Sequence, residues 1–460
     1  MLNYIARRLL LMIPTLLGIT LVVFVVMASA PGGISAQSLV DTQDLEPATR
    51  KALEDYYNKL YGLDQPAPVQ YLRWLNNASP IGFTFNNDGD MDGFSFVKGV
   101  NLGKSFIYGR PVTELLAERV PITLLLNIVT LPIIYLIAIS IGVRAATKRG
   151  EAFDVGSSFV MLALWSVPTM LAGVMLMGYF ASVQNWHWFP TSGLNYREAH
   201  DMSFLPHWSN PIDAFKLLLL SIFGAYLFST LSIKLAKKAR GIIFAVVGLI
   251  LGVLMGLSTA GETSSATVVF LALMLGGLGY ALGMMEYASF RTITLGQVGL
   301  FIGAGVSIYT MQGEFERGFL IDRIWHLVLP VICLTYGGFA FLSKLSRTST
   351  LENLLSDYAR TARAKGVSEH DVLWRHVFRN SLLPLITVSA TLLPSLLGGS
   401  VIVESIFSID GMGKLAVQAV QSRDRELVLS ITLVSGVLTL ISYLIADIFY
   451  AIADPRISYD

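Results

Sequence analysis

Three observations predict an all-α membrane protein, a polytopic helical bundle of about ten spans: scarce charge, a series of apolar runs each about twenty residues long, and basic residues confined to alternate connections. Of 460 residues, 53% are hydrophobic and only 14% charged, against about 25% charged in soluble domains. A soluble multidomain enzyme is excluded. Lys plus Arg (33) nearly balances Asp plus Glu (32), so net charge gives no reason to expect nucleic acid as a partner. The single cysteine, Cys333, lies in an apolar run, which leaves neither an internal disulfide nor a thiolate metal site.

The first run, 9–30, follows Arg7-Arg8 and is longer than the roughly 7–15 apolar residues of a secretory signal. Ala28-Ser29-Ala30 runs straight into Pro31, so 1–30 is expected to stay as the first transmembrane helix. Further runs follow near 121–143, 155–181, 213–233, 241–260, 266–285, 293–311, 325–343, 381–403 and 428–451. Each is expected to be a helix, because lipid offers no partner for backbone N–H and C=O groups and the period-two alternation of barrel strands is missing.

Orientation follows from the short connections. Arg7, Arg8, Arg144, Lys148, Arg149, Lys234, Lys237, Lys238, Arg240 and Arg291 all fall on one side, together with the basic residues of the loop 344–379. By the positive-inside rule that side is the cytoplasm, and both termini lie there. The segment 31–118 is the one stretch large enough for an extracytoplasmic subdomain. It has helical spacing over 46–61 and a turn signal at Asn86-Asn87-Asp88-Gly89. Asp88, Asp90 and Asp92 before Gly93 open like a calcium loop, but the twelfth position is Gly99 where a bidentate Glu is required; a solvated acidic turn is the better reading. Asn77-Ala78-Ser79 fits a glycosylation pattern too short to carry weight.

No phosphate loop, His-Glu-x-x-His or Gly-x-Ser-x-Gly motif occurs, and the six histidines never form a ligand pair at helical spacing. No catalytic residue, metal or cofactor is assigned. His187 between Trp186 and Trp188 reads as an interfacial aromatic belt. Lys216, Glu286, Glu404 and Asp447 fall near span ends, where side chains reach the interface; this disfavours an ion-coupled secondary transporter. What remains is a membrane pathway whose fuel comes from elsewhere.

The loop 344–379 is large for an inner connection, and its segment 356–366 reads as a short helix ended by glycine. The words Tyr358-Ala-Arg-Thr-Ala-Arg-Ala-Lys-Gly366 and Arg375-His376-Val-Phe-Arg379-Asn380-Ser-Leu-Leu-Pro384 closely resemble the coupling loop of permease subunits of ABC importers of the oligopeptide/dipeptide family. The resemblance extends to Arg7-Arg8-Leu, Ile13-Pro14-Thr15, Ala30-Pro31-Gly32-Gly33 and Phe189-Pro190-Thr191-Ser192-Gly193. It resumes in Gly398-Gly399-Ser400-Val-Ile-Val-Glu404, Gly411-Met-Gly413, Arg423-Asp424 and the stretch from Asp447 to Ile457.

That resemblance implies a type I ABC-importer permease core in the cytoplasmic membrane of a prokaryote. Its partners would be a second homologous permease, two cytosolic ATPase subunits that hydrolyse ATP, and an extracytoplasmic binding protein delivering peptides; nickel chelates, opines or peptide antibiotics are the alternative cargo. It marks Tyr358, Arg360, Thr361, Ala362, Arg363, Lys365, Gly366, Arg375, His376, Asn380 and Pro384 as the ATPase-coupling segment, with Gly398, Gly399 and Glu404 as pathway or gate candidates. Arg360 and Thr361 stand where the family motif has Glu and Ala. The small residue at 362 is expected to admit a partner closely, and Gly366 to make a positive-φ turn.

The expected organisation is an N-terminal helix (1–30), an extracytoplasmic subdomain (31–118), core helices (119–198), a four-helix insert (199–323) and core helices with the coupling loop (324–460). The insert departs from a typical member of the family. Its Gly248, Gly252 and Gly256, its Gly276, Gly279 and Gly283, and its Gly299 and Gly303 line helix faces suited to close packing in lipid; a lipid- or partner-binding surface is the alternative reading.

Overall fold

The computed structural model describes residues 2–29, 51–52, 55, 64–85, 91–257, 265–285 and 288–453. Expectations for 30–33, most of 46–61, the turn at 86–89, the first half of the acidic loop, Glu286 and 454–457 lie outside these residues. Among the described residues eight helices are long and apolar enough to cross a membrane, and a bent pair makes a ninth candidate. The chain divides into two compact units, Met1–Gly173 with Pro330–Asp460, and Val174–Leu329.

The first unit begins with α1 (Leu2–Ser29), then α2 (Ala67–Ala78) and the antiparallel hairpin β1 (Gly82–Phe85) and β2 (Met91–Ser95). A 36-residue helix follows, α3 (Val112–Thr147). The run expected as one straight span over 155–181 is instead broken into α4 (Ala152–Ser166) and α5 (Thr169–Leu176), with a π turn at Met177–Ala181 and a bend of 91°. Pro168 is the cause: it has no N–H to donate and forces Val167 into extended backbone (φ −80°, ψ 122°). The hydroxyl of Tyr336 donates to the freed Val167 carbonyl at 2.7 Å, so the break is hydrogen-bonded in place.

The second unit holds four long helices, α6 (Pro211–Lys234), α7 (Lys237–Leu257), α8 (Ser265–Met284) and α9 (Ala288–Tyr309). Two-residue strands β3 (His207–Trp208) and β4 (Phe315–Glu316) pair beside them. The helices form two antiparallel pairs, α7 with α8 and α6 with α9, in which glycine faces lie directly on the partner's backbone. A Cβ on Gly248 would sit 2.1 Å from the Leu275 carbonyl oxygen, and one on Gly303 would sit 2.0 Å from that of Leu220. No side chain fits there, and the close approach supplies the dispersion contacts that hold helices together in lipid. Near the start of this unit Trp186 and Trp188 stack at 4.8 Å, and His187 adopts a left-handed φ of 45°.

The chain continues as α10 (Gly318–Leu354), the short α11 (Asp357–Ala364), then α12 (Leu383–Ile406), α13 (Met412–Gln421) and α14 (Arg425–Ala453). The largest core of the first unit gathers Phe24 of α1, Tyr71 and Trp74 of α2, Leu115 of α3, Leu415 of α13 and Leu427 of α14. Tyr71 also reaches the hydroxyl of Thr20 at 3.0 Å. Thus the described part of the segment expected to be extracytoplasmic is folded onto the helices.

Candidate coupling site and its supports

The coupling segment is a small folded motif at the end of α10. Backbone at Ser356 is extended and α11 starts at Asp357, an acidic residue suited to the positive helix N-terminus. Gly366 terminates the motif with φ +79°; its N–H reaches the Arg363 carbonyl at 2.9 Å, and that of Val367 reaches the Ala362 carbonyl at 3.2 Å. A residue with a Cβ would be strained at this φ, although the space around it is open.

Two faces of α11 behave differently. Ala359 and Ala362 are buried against Val372 and Val377, with Leu354, Val367 and Leu373 around them. The small side chain at 362 makes room for the loop's own interior. Arg363 is an internal fastener too, donating to the Leu354 carbonyl at 3.1 Å and pairing with Glu369 at 2.9 Å. Tyr358, Arg360, Thr361, Lys365 and Gly366 are exposed, as are Arg375, His376 and Asn380; Pro384 is half-buried. Leu355 and Trp374, which no motif singles out, are 53% and 44% exposed in the same loop. An apolar side chain held in water within a basic loop is the signal that marks them.

The motif is tied to its long helix. Ser349 of α10 donates to the Ser381 carbonyl at 3.0 Å, joining points 32 residues apart in sequence. Arg347 of α10 makes a two-pronged contact with Asp154 of α4, its Nη2 donating at 2.7 Å. Asp154 is 3% exposed, and such a bidentate pair fixes direction as well as distance.

Glu404 is placed differently from its expectation. It is fully buried rather than reaching an interface, accepting from the Thr123 hydroxyl at 2.8 Å and from the Lys414 N–H at 2.9 Å. Thr123 in turn accepts from the Met412 N–H at 2.9 Å. The carboxylate thus ties α3 and α12 to the first turn of α13. Gly411 is required beside it, since a Cβ there would lie 2.5 Å from the carboxyl carbon. Gly398 and Gly399 lie within helical backbone of α12.

A second carboxylate works on another part of the unit. Asp424, fully buried, accepts from the Ser105 hydroxyl at 2.5 Å and the Phe106 N–H at 2.8 Å, and caps α14 through the Leu427 N–H at 3.1 Å. Asp447 pairs with Arg8 at 3.0 Å, joining the first and last helices. Outside the spans, burial raises the Asp410 carboxyl, but Lys414 and Arg119 outweigh it and hold the group below its ordinary value. Among the described residues no group of three His, Cys, Asp or Glu side chains is arranged to hold a metal.

The chain matches the family of binding-protein-dependent transport system inner membrane components over residues 138–459 and that family's N-terminal component over residues 1–127. It is 30% identical over 456 residues to the oligopeptide transport system permease protein AppB of Bacillus subtilis (strain 168), covering 99% of each chain. It is 26% identical over 459 residues to the dipeptide transport system permease protein DppB of Alkalihalophilus pseudofirmus, covering all of both. The peptidoglycan transport system permease protein YejB of Agrobacterium fabrum is 25% identical over 492 residues, covering 99% of this chain and 98% of that one. The chain therefore belongs to the binding-protein-dependent transport system inner membrane components, as a multi-pass permease subunit.

Proposed function

We propose that this permease forms half of a translocation pathway for peptides, driven by two cytosolic ATPase subunits that grip the exposed face of α11 and the turn after it. The observation that carries the reading is the two-faced coupling motif: buried alanines and Arg363 lock it to α10, while Tyr358, Thr361, Lys365 and Trp374 stay exposed. A motif held rigidly on a 37-residue helix passes a partner's movement to the spans instead of absorbing it. The oligopeptide and dipeptide names of the relatives support peptides as cargo. A second permease would complete the pathway, an external binding protein would deliver to the side carrying 64–111, and the chain itself would perform no catalysis.

The test uses the chain coexpressed with its partner subunits. In a Cys333→Ala background, cysteine at 361 should cross-link to an ATPase subunit, and ATP should drive labelled oligopeptide uptake into vesicles. Uptake that needs an ion gradient but no ATP, or active import without any cross-link at 361, would overturn the reading. The proposed orientation puts both termini in the cytoplasm. Cysteines at 238 and 289 should then be labelled from inside and one at 313 from outside.

A further inference from the structure

An open groove of about 570 Å³ lies within the first unit, between the last turns of α3, the helix α4 and the stretch 340–348 of α10. Sites that hold a small molecule commonly have volumes of about 300–1,000 Å³. The lining changes along its length. At one end stand Ser157, Ser158, Lys344, Arg347 and Thr348; at the other are Phe159, Leu162, Trp165 and Phe341, with Ile141 of α3. At about 1.5 Å per helical residue, the steps from 157 to 165 and from 348 to 340 carry the groove about 12 Å along the helices. It therefore runs inward from the end where α3 turns into α4.

Positive charge gathers at the polar end. The segments 141–158 and 340–348 hold five cations, Arg144, Lys148, Arg149, Lys344 and Arg347, against two carboxylates, Glu151 and Asp154. Both carboxylates are engaged: Lys148 pairs with Glu151 at 2.9 Å, and Arg347 with Asp154, its Nη2 donating at 2.7 Å. Lys344, nearly one turn before Arg347 on α10, is exposed and lines the groove. The apolar end is open as well, with Phe159 73%, Leu162 56% and Trp165 60% exposed. A soluble anion would leave these walls wet. A membrane helix laid in the groove would cover Lys344 with hydrocarbon, which is costly for a charge. An occupant that satisfies both ends has an anionic head and a long apolar body.

We propose that this groove holds an acyl chain of an anionic phospholipid, with the phosphate at Lys344 and the basic end. The lysine stem can lie along the apolar wall while its ammonium reaches the interface, and basic pockets between span ends are where headgroups reach side chains. The lipid would lie beside the Arg347–Asp154 link that ties the helix carrying the coupling motif to α4.

The test uses the complex with its partner subunits in detergent. Its probes are phosphatidylglycerol and phosphatidylcholine, each with a photoreactive diazirine in one acyl chain, and chainless glycerophosphoglycerol is the competitor. The phosphatidylglycerol probe should label peptides containing 159–165 or 340–345 several times more than the phosphatidylcholine probe. Unlabelled phosphatidylglycerol should displace it and glycerophosphoglycerol should not. Lys344→Gln should lower labelling about fivefold, the weight of one cation beside an anionic headgroup, while Lys344→Arg keeps most of it. Leu162→Glu, at an exposed position, should abolish it. Undiminished labelling in Lys344→Gln, whether or not Leu162→Glu assembles, or equal labelling by the two probes would overturn the proposal. Displacement by glycerophosphoglycerol would overturn the chain as the anchor. A cysteine at 162 in the Cys333→Ala background that cross-links to the second permease, with no lipid label in the groove, would show a helix there instead of a lipid.

Discussion

The two compact units are held by different chemistry. In Val174–Leu329 the long helices pair through glycine laid on backbone, between partners that follow each other closely or enclose one another in the chain. In the other unit single buried carboxylates do the joining: Glu404 binds Thr123, 281 residues away, and Asp424 binds Ser105, 319 residues away. Glycine packing depends on a repeated spacing along one helix, whereas a carboxylate staple needs only one acid and whatever donors the fold brings to it. The first is tolerant of polar loss and intolerant of bulk. The second is the reverse.

The largest effect that would sharpen this contrast is expected at Glu404. Glu404→Ala leaves the Lys414 N–H and Thr123 buried without their acceptor, a loss of about 3–5 kcal/mol, whereas Glu404→Gln should cost less. An unfolding titration in mixed micelles measures both; a near-neutral Glu404→Ala would break the carboxylate half of the comparison. Next comes Gly248→Val, which forces α7 off α8 and should cost about 1–3 kcal/mol or more by overpacking. Substituting Gly277 instead, where a Cβ meets nothing within 4 Å, should be nearly silent, and equal effects at the two positions would undo the glycine half.

The same logic separates neighbours on α11. Ala362→Leu should destabilise the chain by about 1–3 kcal/mol through its buried face, while Thr361→Leu should leave stability within about 0.5 kcal/mol but reduce peptide-stimulated ATP hydrolysis in the assembled complex. Normal coupling in the Thr361→Leu complex would remove the proposed contact. The smallest effect is electrostatic. Because the folded Asp410 carboxyl sits below its ordinary value, its ion pairs stabilise at neutral pH and fade as pH falls through and below about 3.8. Asp410→Asn should therefore be less stable than wild type by about 0.2–1 kcal/mol at pH 6, with the difference shrinking in acid as the carboxylate is protonated; a constant difference would mean the carboxylate charge is not the cause.

Much of the architecture was readable along the chain. Apolar runs of span length locate the long helices because lipid permits little else. The glycine faces at 248, 252 and 256 and at 299 and 303 announce close packing, and the Gly366 turn follows from its place at the end of a short amphipathic helix. The words of the coupling loop carry the family. The break at Pro168 inside the third run was not part of the sequence reading, because a proline only removes a donor and Tyr336 had to be near to take the freed Val167 carbonyl.

Sequence by itself determined that this chain carries many helices long and apolar enough to cross a membrane, and the words by which it resembles peptide-importer permeases, since each of these is a periodic or contiguous property. Only the tertiary structure decided that Ala362 and Arg363 face inward, that Glu404 is a buried staple rather than an interfacial acid, and that Lys344 and Arg347 share a groove with Phe159 and Trp165. Those roles depend on which distant donors and acceptors meet, and a one-dimensional pattern does not record who sits opposite an isolated charge.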